Sequence, residues 1–107
     1  MSVNLVVWKW RASHDSAAKR HKLGLKMGDV TAAFCEEGDH AAFDDVDFAG
    51  FEAAVVQQIG PEVTDGPYLV ERYPRARVYN LPNSQVPDLV MKIGLLARKH
   101  GLTSAEG

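Results

Sequence analysis

Cys35, Asp39 and His40 form the tightest grouping of residues in this chain that could carry chemistry, a thiol, a carboxylate and an imidazole within six positions around Gly38. Thiolate nucleophiles need an adjacent base and a group that orients the base, and zinc sites need three or four ligands of just these types. This cluster supplies three residues at most and lacks a fourth ligand. A second set, His14, Asp15 and His21, places two histidines seven residues apart with no clear third ligand. Ser13, Ser16 and His100 complete the roll of possible nucleophiles and bases. None stands in a G-x-S-x-G, C-x-x-C or H-E-x-x-H frame, and no glycine-rich phosphate loop joins a strand to a helix. A small hydrolase or metal-dependent enzyme built on these residues is therefore the second reading, not the first. No metal, cofactor or catalytic residue is assigned, and the chain is expected not to be an enzyme.

The stronger signal is the distribution of charge. Formal net charge is only −2, with 12 basic and 14 acidic residues. Six cations lie before position 27 (Lys9, Arg11, Lys19, Arg20, Lys22, Lys26) and six from position 72 onward (Arg72, Arg75, Arg77, Lys92, Arg98, Lys99). Between Met27 and Glu71 there is no lysine or arginine, and eleven of the fourteen acids fall there. A unit built from that interval presents an acidic face, which repels nucleic acid and attracts basic partners. Asp39, Asp44, Asp45 and Asp47 are the expected contact residues, with Glu36 and Glu37 next. A solubilising surface is the plainer account of the same acids. Nucleic-acid binding through the two basic ends is a third reading, disfavoured because phosphate binding needs several clustered cations.

These residues must be positioned by a core, and 107 residues allow one domain that buries roughly two-thirds of its unfolded surface. Apolar residues are 46% of the chain and no apolar run approaches the roughly 20 residues of a membrane span. No secretory signal opens the sequence, and the single cysteine fits a reducing compartment, so a soluble, cytoplasmic protein is expected.

The element that the rest must pack against is Ser84 to Gly101. Ser84 is an N-cap candidate and Pro87 is tolerable in the first turn. Val86, Leu89, Val90, Ile93, Leu96 and Ala97 recur on one helical face, Arg98, Lys99 and His100 suit the negative end of the helix dipole, and Gly101 can end it. Asp47 to Ile59 reads as the second main helix, capped by Asp47, stapled by Val46 against Phe51, striped by Phe48, Phe51, Val55 and Ile59, and stopped at Gly60-Pro61. Gly50 within it suggests a close backbone contact. Asp29 to Glu37 reads as a short helix capped by Asp29, with a strand through Val30, Ala32 and Phe34 as the alternative, since periodicity does not settle so short an apolar run. A weaker helix, capped by Ser13 or Asp15, ends near Lys22.

Residues 3 to 10 alternate so that Val6, Trp8 and Trp10 face one way and Leu5, Val7 and Lys9 the other, a strand with two usable faces. The tryptophans are expected in the core under the helices. After an Asp65-Gly66-Pro67 turn, residues 68–73 and 76–81 form two strands, and Pro74-Arg75 is short enough to join them as an antiparallel hairpin. Leu102-Thr103-Ser104 is at most a short edge strand. The elements sum to an α+β fold of two layers, an antiparallel or mixed sheet of three or four strands packed on one side by two principal helices. The other sheet face would then carry Glu71, Arg72, Tyr73, Arg77 and Tyr79. Tyr73, Arg77 and Tyr79 there would make a dimer surface, since tyrosine and arginine are enriched at interfaces.

Leu5-Val6-Val7-Trp8 resembles the aliphatic-aliphatic-Trp opening strand of a group of small bacterial α/β proteins, some of which resemble immunity proteins of polymorphic toxin systems. Leu96-Ala97-Arg98-Lys99-His100-Gly101-Leu102 is similar to the closing helix end of the same group. The two motifs cover eleven of 107 residues and neither is catalytic. Members often continue into a strand ending Asp-Pro-Gln, where this chain reads Thr103-Ser104-Ala105-Glu106-Gly107. The resemblance implies a cytoplasmic binder that neutralises a toxin stoichiometrically, with an acidic surface against a basic enzyme cleft.

Overall fold

A computed structural model describes residues 2–60, 68–82 and 86–106. The Ser84 cap, Pro61 and the Asp65-Gly66-Pro67 turn lie outside the described residues. In chain order the elements are β1 (Ser2–Trp8), a 3-10 turn (Ala12–His14), α1 (Ala17–Lys22), α2 (Met27–Glu37), α3 (Ala49–Gln58), β2 (Leu69–Tyr73), β3 (Ala76–Pro82), α4 (Val86–Lys99) and β4 (Thr103–Glu106).

The four strands form one antiparallel sheet in the order β2-β3-β1-β4, and the fold is α+β. β1 takes a central place because both of its faces are apolar. Leu5 and Val7 point into a core with Phe48, Phe51 and Val55 from the α3 region, and Leu89, Ile93, Leu96 and Ala97 from α4. α3 and α4 are thus the two main helices on one face, as their stripes require. Val6 and Trp8 point the opposite way, into a second core with Trp10, Val30, Phe34, Phe43 and Val78.

That second core corrects the expectation of an open sheet face, and it places the tryptophans under α2 rather than under the main helices. Trp8 is fully buried and Trp10 nearly so. The cause is α2, whose Val30 and Phe34 lie one helical turn apart and seal the back of the sheet. Glu71 and Tyr73 take this back face, whereas Arg72, Arg77 and Tyr79 take the front, as the register Tyr73↔Ala76 and Leu5↔Tyr79 dictates. Tyr79 is 1% exposed, packed edge-on against Phe51 and against Tyr68. Tyr73, Arg77 and Tyr79 therefore share no surface, and the dimer face assigned to them does not exist.

Local signals were met with small shifts. Ser16, not Ser13 or Asp15, caps α1, its hydroxyl accepting from the Lys19 amide at 3.2 Å. α2 begins two residues before Asp29 and ends at Gly38, whose φ of 74° releases the chain into a loop. The Asp47 carboxylate accepts from the Ala49 amide at 2.9 Å, satisfying an orphan donor of the first turn of α3. A Cβ on Gly50 would sit 3.6 Å from the His100 ring, an ordinary side-chain contact, so the close backbone contact expected there is not found. Pro74-Arg75 joins β2 to β3 directly. No described residue other than glycine has positive φ, so this turn is not one of the primed types that two-residue hairpins favour. Arg77 compensates by donating to the carbonyls of Tyr73 and Ala76 at 2.7 and 2.9 Å. Among the described residues no helix is long and apolar enough to cross a membrane.

Candidate functional site

The acidic residues gather where α2 ends, and a buried phenylalanine explains why. Phe43 is fully buried, stacked on Trp8 with ring centroids 5.1 Å apart and in contact with Phe34. The loop 38–47 therefore has to close over an aromatic plug, and its polar backbone must find partners as it does so. It finds them at two arginines. Arg11 Nε donates to the Phe43 carbonyl at 2.7 Å, and one Arg75 nitrogen donates to the same oxygen at 3.0 Å. Backbone bonds from Arg11 to Ala42 and from Asp44 to Lys9 tie the loop to the chain just after β1.

Arg75 also holds Asp39, through Nε at 3.0 Å and a second nitrogen at 2.5 Å, the two-pronged geometry for which guanidinium is suited. The Arg75 bond holds the Asp39 carboxyl below the usual carboxylate range, against a smaller opposing effect of desolvation. Asp39 is thus a clamp residue whose charge is paired within the chain while its side chain stays partly open. Asp47 is exposed, with one carboxylate oxygen accepting from the Ala49 amide, and Phe48 rather than Asp47 takes the N-cap position of α3.

Glu36 and Glu37 are exposed in the last turn of α2, and Asp45 is exposed on the loop. Asp44 is half-buried, with one carboxylate oxygen accepting from the Asp45 amide at 2.9 Å. None of these four carboxylates forms an ion pair among the described residues. They rim a loop whose shape is fixed from beneath by Arg75, Arg11 and Phe43.

The cluster of Cys35, Asp39 and His40 does not converge on a common point. Cys35 is exposed on α2, Asp39 turns to Arg75, and His40 Nδ1 accepts from the Ala42 amide at 3.0 Å. Burial, with the nearby His14 charge, pushes His40 below its ordinary value, so the ring is held neutral as a loop acceptor. Ser13 Oγ lies 2.7 Å from His14 Nδ1, yet both are at the surface with no carboxylate orienting the ring, and His14 stacks on Trp10. Among the described residues no group of three or more His, Cys, Asp or Glu side chains is placed to hold a metal ion.

Several cations besides Arg11 and Arg75 are engaged within the chain. Arg20 lies over the Trp10 ring at 4.7 Å and donates to the His14 carbonyl, and Lys19 pairs with Asp15. Arg77 covers the Phe48 ring at 4.3 Å and pairs with Glu52 of α3. Arg75 and Arg11, the residues that shape the acidic loop, escaped sequence reasoning. The one available hint was that Arg75 sits at a hairpin tip just beyond a long cation-free, acid-rich interval. No family model, curated protein or solved structure matches the chain.

Proposed function

We propose that this protein is an interaction module that binds a basic protein partner through the rim formed by Glu36, Glu37, Asp44 and Asp45. The observation that carries this reading is that Asp39 is held in an ion pair with Arg75, whereas these four form none among the described residues and stand at the end of α2 and on the following loop, which two arginines brace. A braced loop loses little conformational freedom on binding, so its charges act on a partner without the ordering cost of a mobile segment. Complementary charge of this kind steers encounter and raises association rates. The resemblance of the two end motifs to immunity proteins of toxin systems points the same way, toward a cytoplasmic inhibitor whose target has a basic cleft.

A nucleic-acid binder is less well supported, because Arg11, Lys19, Arg20, Arg75 and Arg77 are already committed to carbonyls, carboxylates and rings. An enzyme built on Cys35 or the histidines lacks an orienting contact in the described residues.

The test is affinity capture by the wild-type chain and by a variant carrying Glu36→Gln, Glu37→Gln, Asp44→Asn and Asp45→Asn, which spares Asp39 and Asp47. The rim reading expects a basic partner recovered by the wild type and lost by the variant, with both proteins equally folded. Equal recovery of every partner by the two proteins contradicts it.

A further inference from the structure

We propose that the outer face of α4 is a docking site for an acidic amphipathic helix of a protein partner. α4 buries Leu89, Ile93, Leu96 and Ala97 in the front core. Its opposite side carries Asp88, Met91, Leu95 and Arg98, all exposed, at successive spacings of three, four and three residues. That spacing sets them in one line along the helix, the pattern of the a and d positions through which one helix packs on another. The outward face of such a helix is normally polar. Here Met91 is 60% and Leu95 57% exposed at the middle of the line.

A hollow runs along either side of that line. One, of about 440 Å³, lies toward the end of α3 and is lined by Gln58, Lys92, Leu95, Leu96, Arg98 and Lys99. The other, of about 430 Å³, lies toward β4 and the start of α2, between Met27, Met91, Leu95, Arg98 and Leu102 among others. Leu95 and Arg98 border both, so they form the ridge between them. A ridge with a hollow on each side is the relief onto which a second helix fits, its own rows of side chains filling the hollows. A flat lipid surface would leave both hollows empty.

Charge decides the kind of helix. Lys92 and Lys99 flank the line at the e positions, which in paired helices select the partner by charge. With Arg98 they make three cations, whereas Asp88 is the one acid of α4. Arg98 and Lys99 form no ion pair among the described residues, and Lys92 has only a 3.9 Å contact with Asp88. The C-terminus of α4 presents about half a negative charge, which offsets only part of that excess. A second copy does not supply the missing acids. Antiparallel pairing would set these lysines against the same lysines, and parallel pairing would set them against the uncharged g positions, Pro87 and Gly94. A partner helix with glutamate or aspartate beside its apolar line answers both the relief and the charge. The face shares no residue with the acidic rim and stands or falls without it.

Fluorescence anisotropy with labelled synthetic peptides and the full chain tests this. The probes are stapled helices about five turns long, with leucine along a three-four line and glutamate beside it, matched by a set with lysine in place of glutamate. The glutamate peptides are expected to bind and the lysine peptides not to. Leu95→Gln, an uncharged change at an exposed position, weakens binding about tenfold or more with unchanged circular dichroism. Lys92→Glu combined with Lys99→Glu reverses the preference in favour of the lysine peptides. Leu69→Gln on β2 and the Glu36→Gln, Glu37→Gln, Asp44→Asn, Asp45→Asn variant leave binding unchanged. Failure of every glutamate peptide to bind overturns the proposal, as do equal binding of the two sets and binding that Leu95→Gln leaves intact. Self-association, or sedimentation with phosphatidylserine vesicles, that Leu95→Gln abolishes would assign the face to another occupant and also overturns it.

Discussion

Arg75 and Asp39, 36 positions apart, meet through two N–H to carboxylate bonds that fasten the acidic loop to the β2–β3 hairpin tip. The Arg75 side chain is largely covered while the Asp39 carboxylate is partly open, at 16% and 42% exposure. The same guanidinium reaches the carbonyls of Phe43 and His40. Arg75→Gln is therefore expected to cost about 1–3 kcal/mol, because buried acceptors lose a charged donor. Asp39→Asn is expected to cost less, since solvent screens the open carboxylate. Urea denaturation of the two variants checks the order, and equal effects would contradict it.

The same pair gives an acid limb to stability. The folded-state value of Asp39 lies below its unfolded one, so its contribution is complete above the ordinary aspartate value of about 3.9 and fades as pH falls toward the folded value. His40 acts higher on the scale. Its folded value is below the unfolded value of about 6.5, so the unfolded chain takes up the proton first and stability falls as pH drops below that point. Protonation at Nδ1 also removes the acceptor for the Ala42 amide. His40→Gln is expected to flatten the dependence of unfolding free energy on pH between about 6.5 and 5. An unchanged slope in the variant would show that His40 is not the group responsible.

Two glycines should respond oppositely to alanine. Gly50 lies in α3, where a new methyl group meets the His100 ring at ordinary contact distance, so Gly50→Ala is expected to stabilise by about 0.5–1 kcal/mol. Gly38 has φ of 74°, and its Cβ position faces the Tyr73 ring at 3.5 Å, so Gly38→Ala is expected to destabilise by about 1 kcal/mol or more. Thermal unfolding of both variants decides the signs.

Because each sheet face has its own core, Phe34→Ala behind the sheet and Phe51→Ala in front should be comparably severe, each about 3–5 kcal/mol. A mild Phe34→Ala would mean that α2 is not a structural cover for the sheet.

How much of this was legible in the sequence depends on how local the cause was. The α4 stripe, the alternation of Leu5 to Trp8, the Asp47 bond to the start of α3 and the hairpin at Pro74-Arg75 are local patterns, and each stands where those patterns put it. Alternation fixes which side chains share a face but not what covers that face. Tyr79 and Tyr73 were therefore assigned to one open surface although α3, α4 and α2 bury both sides. The Asp39–Arg75 clamp depends on a hairpin tip folding back over a loop 36 residues away, which no periodicity encodes. Of the six acids expected at a partner, Asp39 is tied to Arg75, Asp44 and Asp47 each accept one backbone amide, and Glu36, Glu37, Asp44 and Asp45 make up the proposed rim.

The most direct measurement is the association rate of the captured partner with the wild-type chain and with the Glu36→Gln, Glu37→Gln, Asp44→Asn, Asp45→Asn variant at low and high salt. Steering by the rim requires a wild-type rate that falls steeply with salt and a variant rate that is slower at low salt and nearly salt-independent. Equal rates and equal salt dependence in the two proteins would contradict the rim as the binding face.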